Sequence, residues 1–111
     1  MAEYKVVFHV DENEKWHLVL TNVENTIAAG EDIEIMVLAN AKAVQEYAVN
    51  GDARERMIKL SSLGVSFVAC QNALKANNIE KNDLPQFVTI VPAGIVELIK
   101  RQSSGFCYIK P

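Results

Sequence analysis

Cys70 is the strongest candidate nucleophile in this chain of 111 residues, which has a second cysteine at Cys107. Cys70 ends an apolar run and is followed by the helical pattern of residues 71–76, which predicts that it lies where a strand turns into a helix. Unpaired backbone amides at a helix start favour an anion, and a thiol there ionises more easily than a free one. Cysteine is also a frequent inert core residue. Position alone therefore leaves two roles open for Cys70, a nucleophile or a packed side chain.

Cys107 lies in the strand-like segment 105–109 and has no helix start beside it, so we expect it to pack rather than react. The two cysteines are far apart in the sequence and lack the close spacing of a redox or zinc motif. In a reducing compartment both are expected to be free thiols.

Other polar residues follow the predicted strands at their carboxyl ends. His9 ends the first strand, Asn40 follows the second and Pro92 follows the fourth. Carboxyl ends of parallel strands share one edge, so we expect these residues near Cys70. In a flavodoxin-like order the first and third strands are neighbours, which would place His9 beside Cys70. There it would form an ion pair with the thiolate or serve only as a hydrogen-bonded residue.

Apolar runs and helical spacings alternate along the chain. The predicted strands are Tyr4–Val10, Ile33–Ala39, Val65–Cys70, Phe87–Val91 and an edge strand over 105–110. Helical spacing is predicted from Glu14 to Gly30, from Ala43 to Gly64 with a break at 50–52, over 71–76, and over 94–102 with Ile95, Leu98 and Ile99 on one side. Asp11 with Glu14, and Asp52 with Glu55, have the spacing of helix caps. The pattern predicts one α/β domain over residues 1–111, a flavodoxin-like three-layer sandwich with a mainly parallel sheet of about five strands.

Composition excludes several function classes. The net charge of −3 and pI near 5.3 argue against nucleic acid as a partner. Apolar runs are too short to cross a membrane, and no signal-peptide pattern opens the chain, so a cytoplasmic location is expected. His9 and His17 lack metal-ligand spacing, and no phosphate-binding glycine motif occurs, so we predict neither a metal site nor a cofactor.

Several short motifs follow one another from the first strand to the last residue. These motifs are Phe8-His9-Val10, Trp16, Asn22, Asn25, Ala39-Asn40, Ala69-Cys70-Gln71-Asn72-Ala73-Leu74, Asp83-Leu84, Val91-Pro92-Ala93-Gly94, Arg101-Gln102 and Tyr108-Ile109-Lys110-Pro111. In their order and spacing the chain resembles the DsrE/DsrF-like family of small intracellular sulfur-relay proteins.

The resemblance implies homo-oligomers, commonly trimers or hexamers, and a cysteine after the third strand that carries sulfur as a persulfide between donor and acceptor proteins. Cys70 matches that cysteine, so a sulfurtransferase-type carrier is expected, with Asn72 shaping the notch and His9 tuning protonation. Family members often have a Gly-Pro pair after the position of Asn40, where this chain has Ala41-Lys42. Two alternatives stay open: a non-catalytic interaction subunit with an inert Cys70, and a small-molecule-binding module. Whether the protein is an enzyme is left open with them.

Overall fold

Five parallel strands form one sheet in this computed structural model, which describes residues 2–111. The strands are β1 (Tyr4–Val10), β2 (Ile33–Ala39), β3 (Ser66–Cys70), β4 (Val88–Val91) and β5 (Cys107–Ile109). The helices are α1 (Trp16–Ala28), α2 (Asp52–Ser62), α3 (Gln71–Ala76) and α4 (Gly94–Ser103), with 3-10 helices at Asn13–Lys15, Ala41–Ala48 and Lys81–Asp83. The predicted α/β class with a parallel sheet between helix layers is confirmed.

The strand order is β4-β3-β2-β1-β5, so the chain builds the sheet in one direction and then returns to place β5 beside β1. Because crossovers between parallel strands are right-handed, reversing the direction moves the last connection to the opposite face of the sheet. The prediction that the first strand neighbours the third is therefore wrong, since β2 lies between them. Both orders bury the same apolar strands, and periodicity cannot separate them.

One face of the sheet, here called the wide face, is covered by α1, α2, α3 and the 3-10 helix Ala41–Ala48. Its core includes a row of aromatic rings in edge contact. Trp16 and Tyr47 have ring centroids 5.2 Å apart, and Tyr47 and Phe67 6.4 Å apart. The polar atoms of this row are satisfied, because the indole of Trp16 donates to the backbone oxygen of Ala43 at 2.8 Å and the Tyr47 hydroxyl donates to that of Val68 at 3.0 Å.

The opposite face, here called the α4 face, is covered by α4. A smaller cluster is buried beneath the helix, formed by Val7, Met36, Leu38, Val68, Leu98 and Phe106. Of the apolar side predicted for this helix, only Leu98 is buried, whereas Ile95 and Ile99 are 60% and 59% exposed. Each of the two isoleucines follows an inward residue of α4, and one step along a helix turns a side chain by about 100°. The helix therefore carries apolar side chains both inward and outward.

Two predicted caps are not formed. Asp11 makes no cap, since the chain enters α1 through a 3-10 turn without a side-chain cap, and its carboxylate instead lies 3.3 Å from the Lys110 ammonium. The N-cap of α2 is Gly51, so Asp52 is the first helical residue. In the described part of the chain, no helix is long and apolar enough to cross a bilayer.

Candidate functional site

The site lies where the chain leaves β3 and β4, two neighbouring strands of the sheet. The connection after β3 enters α3 on the wide face, whereas the connection after β4 enters α4 on the opposite face. Diverging connections leave a crevice at the carboxyl ends of the strands, which is the usual position of binding sites in open α/β sheets. Cys70, the last residue of β3, lies at this topological switch point.

Cys70 is both the end of β3 and the N-cap residue of α3, with an extended backbone at φ −77° and ψ 120°. Cys70 thus lies at a junction between a strand and a helix, as the sequence predicts. The amides of the first turn of α3 lack partners within the helix, because no preceding turn supplies carbonyls. The residue is 7% exposed and its thiol is free. Its role as a nucleophile stays a prediction.

Gly94 is a site residue that the sequence analysis did not single out. A Cβ at Gly94 would lie 3.2 Å from the Cβ of Cys70, 3.3 Å from Cδ2 of Leu38 and 3.4 Å from the Cβ of Asn40, so all three side chains pack against the glycine. Gly94 also opens α4, whose first intrahelical bond runs from the Glu97 amide to the Ala93 carbonyl. The start of a second helix therefore lies next to Cys70.

His9 is held between two polar partners and is 8% exposed. Its Nε2 lies 2.9 Å from Oδ1 of Asn40, and its Nδ1 lies 2.6 Å from the hydroxyl of Tyr108. Of the two roles proposed for His9, the structure supports the hydrogen-bonded residue, because both ring nitrogens are engaged and the strand order separates it from Cys70. Tyr108 was missed because its contact with His9 depends on β5 pairing with β1.

The remaining predicted residues are more peripheral. Asn72 is exposed on α3 and Pro92 is exposed after β4, so their roles at the notch stay predictions. Cys107 was expected to pack, and this is wrong: the residue is exposed, because β5 is a three-residue strand at the edge of the sheet. Across residues 2–111 no three His, Cys, Asp or Glu side chains are grouped so that they could hold a metal ion.

The backbone next to Asn40 is strained. Ala41 has φ 49°, a left-handed conformation that glycine adopts freely and alanine rarely does. This is the position at which the resemblance leads one to expect glycine. The turn after β2 therefore keeps the glycine-type backbone although the side chain has changed.

The titratable groups with clearly shifted pKa values lie on the wide face. Burial raises the pKa of Tyr47 well above 10.0, although its hydrogen bond to the Val68 carbonyl opposes this shift. The hydrogen bond from Arg56 lowers the pKa of Glu24 below 4.5, and the same bond raises the pKa of Arg56. These shifts report packing of the helices and do not involve the crevice.

A separate cavity of about 720 Å³ lies beside the edge strand β4. Lys81, Leu84, Val88 and Ile90 line it together with Gln71, the residue after Cys70. Cys70 does not line it. The cavity is thus next to the candidate site and distinct from it.

Fold and site together define an α/β protein with a buried free cysteine at a topological switch point. The chain belongs to the DsrE/DsrF-like family, whose sequence model matches residues 5–111. Among curated proteins, none matches the chain.

Solved structures with the same fold include proteins from three organisms. A protein of unknown function, MTH1491 from Methanobacterium thermoautotrophicum, is 32% identical, with a TM-score of 0.91 over 98% of this chain and 100% of that one. The ychN protein from E. coli is 15% identical, with a TM-score of 0.82 over 97% and 99% of the two chains. BT1422, a conserved protein of unknown function from Bacteroides thetaiotaomicron, is 14% identical, with a TM-score of 0.79 over 96% and 94%.

Proposed function

We propose that the protein is a sulfur-relay carrier that holds sulfur as a persulfide on Cys70. The observation that carries the proposal is the position of Cys70 in a DsrE/DsrF-like chain, at the end of β3 and between the starts of α3 and α4. Amides at helix starts stabilise an anion, which is the reactive form of a thiol and of a persulfide.

The chemistry requires a donor protein with a cysteine persulfide and an acceptor protein with a thiol. The Cys70 thiolate attacks the terminal sulfur of the donor, forming a new S–S bond while the donor S–S bond breaks. The donor cysteine leaves as a thiolate and takes up a proton. Transfer to the acceptor repeats the exchange with the acceptor thiolate as nucleophile, so no external oxidant or reductant is needed.

The test is incubation of the native protein with a persulfide donor, followed by intact-mass measurement. We expect a gain of one sulfur atom in the wild type and in Cys107→Ser, and none in Cys70→Ser. Cys107→Ser is the matched control because it removes the other thiol from an exposed edge position. An unmodified wild type, or equal sulfur addition to Cys70→Ser, contradicts the proposal.

The low exposure of Cys70 favours a second candidate, an interaction subunit in which the thiol only packs. Alkylation kinetics separate the two. A carrier is alkylated at Cys70 in the native state faster than it unfolds, whereas an inert core thiol reacts only at the rate of global unfolding. The exposed Cys107 supplies the reference rate within the same molecule.

We also propose that the chain forms homo-oligomers, trimers or hexamers, through the outer side of α4. Ile95, Val96 and Ile99 are all about half exposed or more on this helix, and a cluster of large apolar side chains on a surface marks an interface. A reducing cytoplasm, which keeps both cysteines as thiols, is the proposed location.

Self-association is tested by light scattering of size-separated protein. The Ile95→Asp/Ile99→Asp variant is expected to become a monomer, while Leu63→Asp, at an exposed residue after α2, keeps the wild-type size. A monomeric wild type, or an α4 variant of unchanged size, contradicts this interface.

A further inference from the structure

Ala41, the first residue after Asn40, has a left-handed backbone conformation with φ 49°, whereas Asn40 itself is extended. In a left-handed residue the Cβ lies too close to the following carbonyl oxygen, so residues other than glycine rarely adopt this conformation. Ala41 is exposed, and burial of its own methyl group therefore does not fix the turn. A strained backbone of this kind persists only where the surrounding contacts hold it.

Asn77, the C-cap residue of α3, makes such a contact with its side chain. Its Nδ2 lies 3.2 Å from the backbone oxygen of Ala41 and 2.8 Å from the backbone oxygen of Ala73. Backbone carbonyl oxygens only accept hydrogen bonds, so the atom that lies between them is the amide nitrogen of Asn77. The two carbonyls therefore fix the orientation of this carboxamide.

The other end of the carboxamide binds the same 3-10 helix, Ala41–Ala48. Oδ1 of Asn77 accepts from Nε2 of Gln45 at 3.0 Å. Oε1 of Gln45 in turn accepts from Nδ2 of Asn13 at 2.7 Å, so three side-chain amides form a chain with one direction of donation. Asn77 thus holds the 3-10 helix at its first residue and at its fifth.

The turn that Asn77 binds lies beside the candidate site. The Cβ of Asn40 lies 3.4 Å from the point that a Cβ of Gly94 would occupy. α3, the helix that Asn77 ends, begins directly after Cys70. One carboxamide therefore joins the connection that follows β2 to the helix that follows β3.

We infer that Asn77 is a conformational clamp that holds Ala41 in the left-handed conformation and so fixes the turn between Asn40 and the 3-10 helix. The two hydrogen bonds from Asn77 to this segment offset the strain at Ala41. Without the carboxamide, Ala41 relaxes to a negative φ and the start of the 3-10 helix changes its path. The clamp is independent of the chemistry proposed for Cys70, because no atom of that residue takes part in it.

The experiment is a double-mutant cycle that combines Asn77→Ala with Ala41→Gly and measures the ratio of folded to unfolded protein by urea unfolding. Glycine is unstrained at positive φ but loses more chain entropy on folding. In the otherwise unchanged chain, Ala41→Gly should raise the ratio, because the relief of strain exceeds the entropy cost. In the Asn77→Ala background it should lower the ratio, because Ala41 has already relaxed there.

We expect the effect of Ala41→Gly to differ by about 5- to 30-fold between the two backgrounds, which corresponds to the strain of one left-handed residue. The hydrogen bond from Asn77 to Ala73 is lost equally in both backgrounds, so its contribution cancels in the cycle.

NMR measures the conformation of Ala41 directly. At positive φ the amide proton and the Hα of one residue lie close together and give a strong intraresidue NOE. The wild type and Asn13→Ala should show this NOE at Ala41, and Asn77→Ala should show a weak one. Asn13→Ala is the matched control, because it removes an amide that is bonded to Gln45 and not to Ala41.

A strong NOE at Ala41 in Asn77→Ala, or a weak one in the wild type, overturns the inference. Additive effects of the two substitutions also overturn it, since Ala41 would then keep its conformation without Asn77. A weak NOE in Asn13→Ala does the same, because the turn would then depend on the whole chain of amides. Asn77→Asp keeps the size of the side chain but cannot donate to the Ala41 carbonyl, and it replaces Asn77→Ala if that variant does not fold.

Discussion

The two faces of the sheet are built on different principles. The wide face buries a large apolar cluster under three α-helices and a 3-10 helix, and its aromatic rings pack in edge contact. The α4 face buries six residues in its cluster, whereas Cys70 packs with the cluster of the wide face. The hydrogen bonds of His9 with Tyr108 and Asn40 lie outside both clusters. Buried apolar area is the main source of folding free energy, so we assign stability mainly to the wide face.

This division has a topological cause. Three consecutive connections on one face stack their helices over the sheet, and the single returning connection places only α4 on the other. The same reversal places Cys70 at the topological switch point of the sheet. Identical substitutions on the two faces therefore offer direct comparisons.

The largest difference is expected for leucine truncation. Leu20→Ala on α1 should lower the free energy of unfolding by about 4–5 kcal/mol, because the side chain is completely buried in the larger cluster. Leu98→Ala on α4 should cost about 2–3 kcal/mol, since its smaller cluster relaxes more easily around the cavity. Urea unfolding measures both, and equal costs would contradict the assignment of stability to the wide face.

A smaller difference is expected for tyrosine hydroxyls. Tyr47→Phe should cost about 1–3 kcal/mol because it removes the donor to a buried carbonyl, whereas Tyr108→Phe, at a partly exposed tyrosine, should cost under about 1 kcal/mol. Denaturation with guanidinium, followed by circular dichroism, checks both values. A larger loss for Tyr108→Phe would reverse the comparison.

The raised pKa of Tyr47 adds a pH test. Burial keeps its hydroxyl protonated in the folded state, while the unfolded chain ionises near pH 10.0. Stability from Tyr47 is therefore complete below pH 10.0 and is lost as the pH rises toward the folded-state pKa. Tyr47→Phe should therefore lose less stability than the wild type as the pH rises through the range in which a free tyrosine ionises. Thermal unfolding at a series of pH values, from about one unit below to about one unit above the usual tyrosine pKa, measures this difference.

The smallest difference is expected for surface carboxylates. Glu24 binds Arg56 through both oxygens, at 2.8 and 3.0 Å, and joins α1 to α2. Glu97 binds Arg101 within α4 at 2.7 Å. Because both pairs are partly exposed, Glu24→Gln should cost no more than about 1 kcal/mol and Glu97→Gln about 0.3–0.5 kcal/mol.

The lowered pKa of Glu24 predicts how the stability difference between the wild type and Glu24→Gln changes with pH. A depressed pKa contributes stability that is present above the unfolded value of 4.5 and is lost as the pH falls through the folded-state value. The gap between wild type and Glu24→Gln should therefore close in acid. A gap that persists well below pH 4.5 would show that the glutamine variant disturbs packing instead.

Much of the architecture follows from short stretches of sequence. β1, β2 and α3 have the bounds predicted from their apolar runs and helical spacing, and the shared edge for His9, Asn40 and Cys70 follows from the parallel arrangement. Apart from the two helix caps that are not formed, the errors concern the partner of each element. They include the neighbours of β1, the outward isoleucines of α4 and the exposure of Cys107.

By itself, the amino-acid sequence determined the alternation of strands and helices, the α/β class and the junction at which Cys70 lies. Local periodicity is sufficient for these, because burial of one side of a segment depends on the residues of that segment. Only the tertiary structure decided that β5 returns beside β1, that Tyr108 contacts a histidine 99 positions away, and that Gly94 closes against Cys70. Such contacts depend on the strand order, and alternative orders bury the same apolar residues equally well.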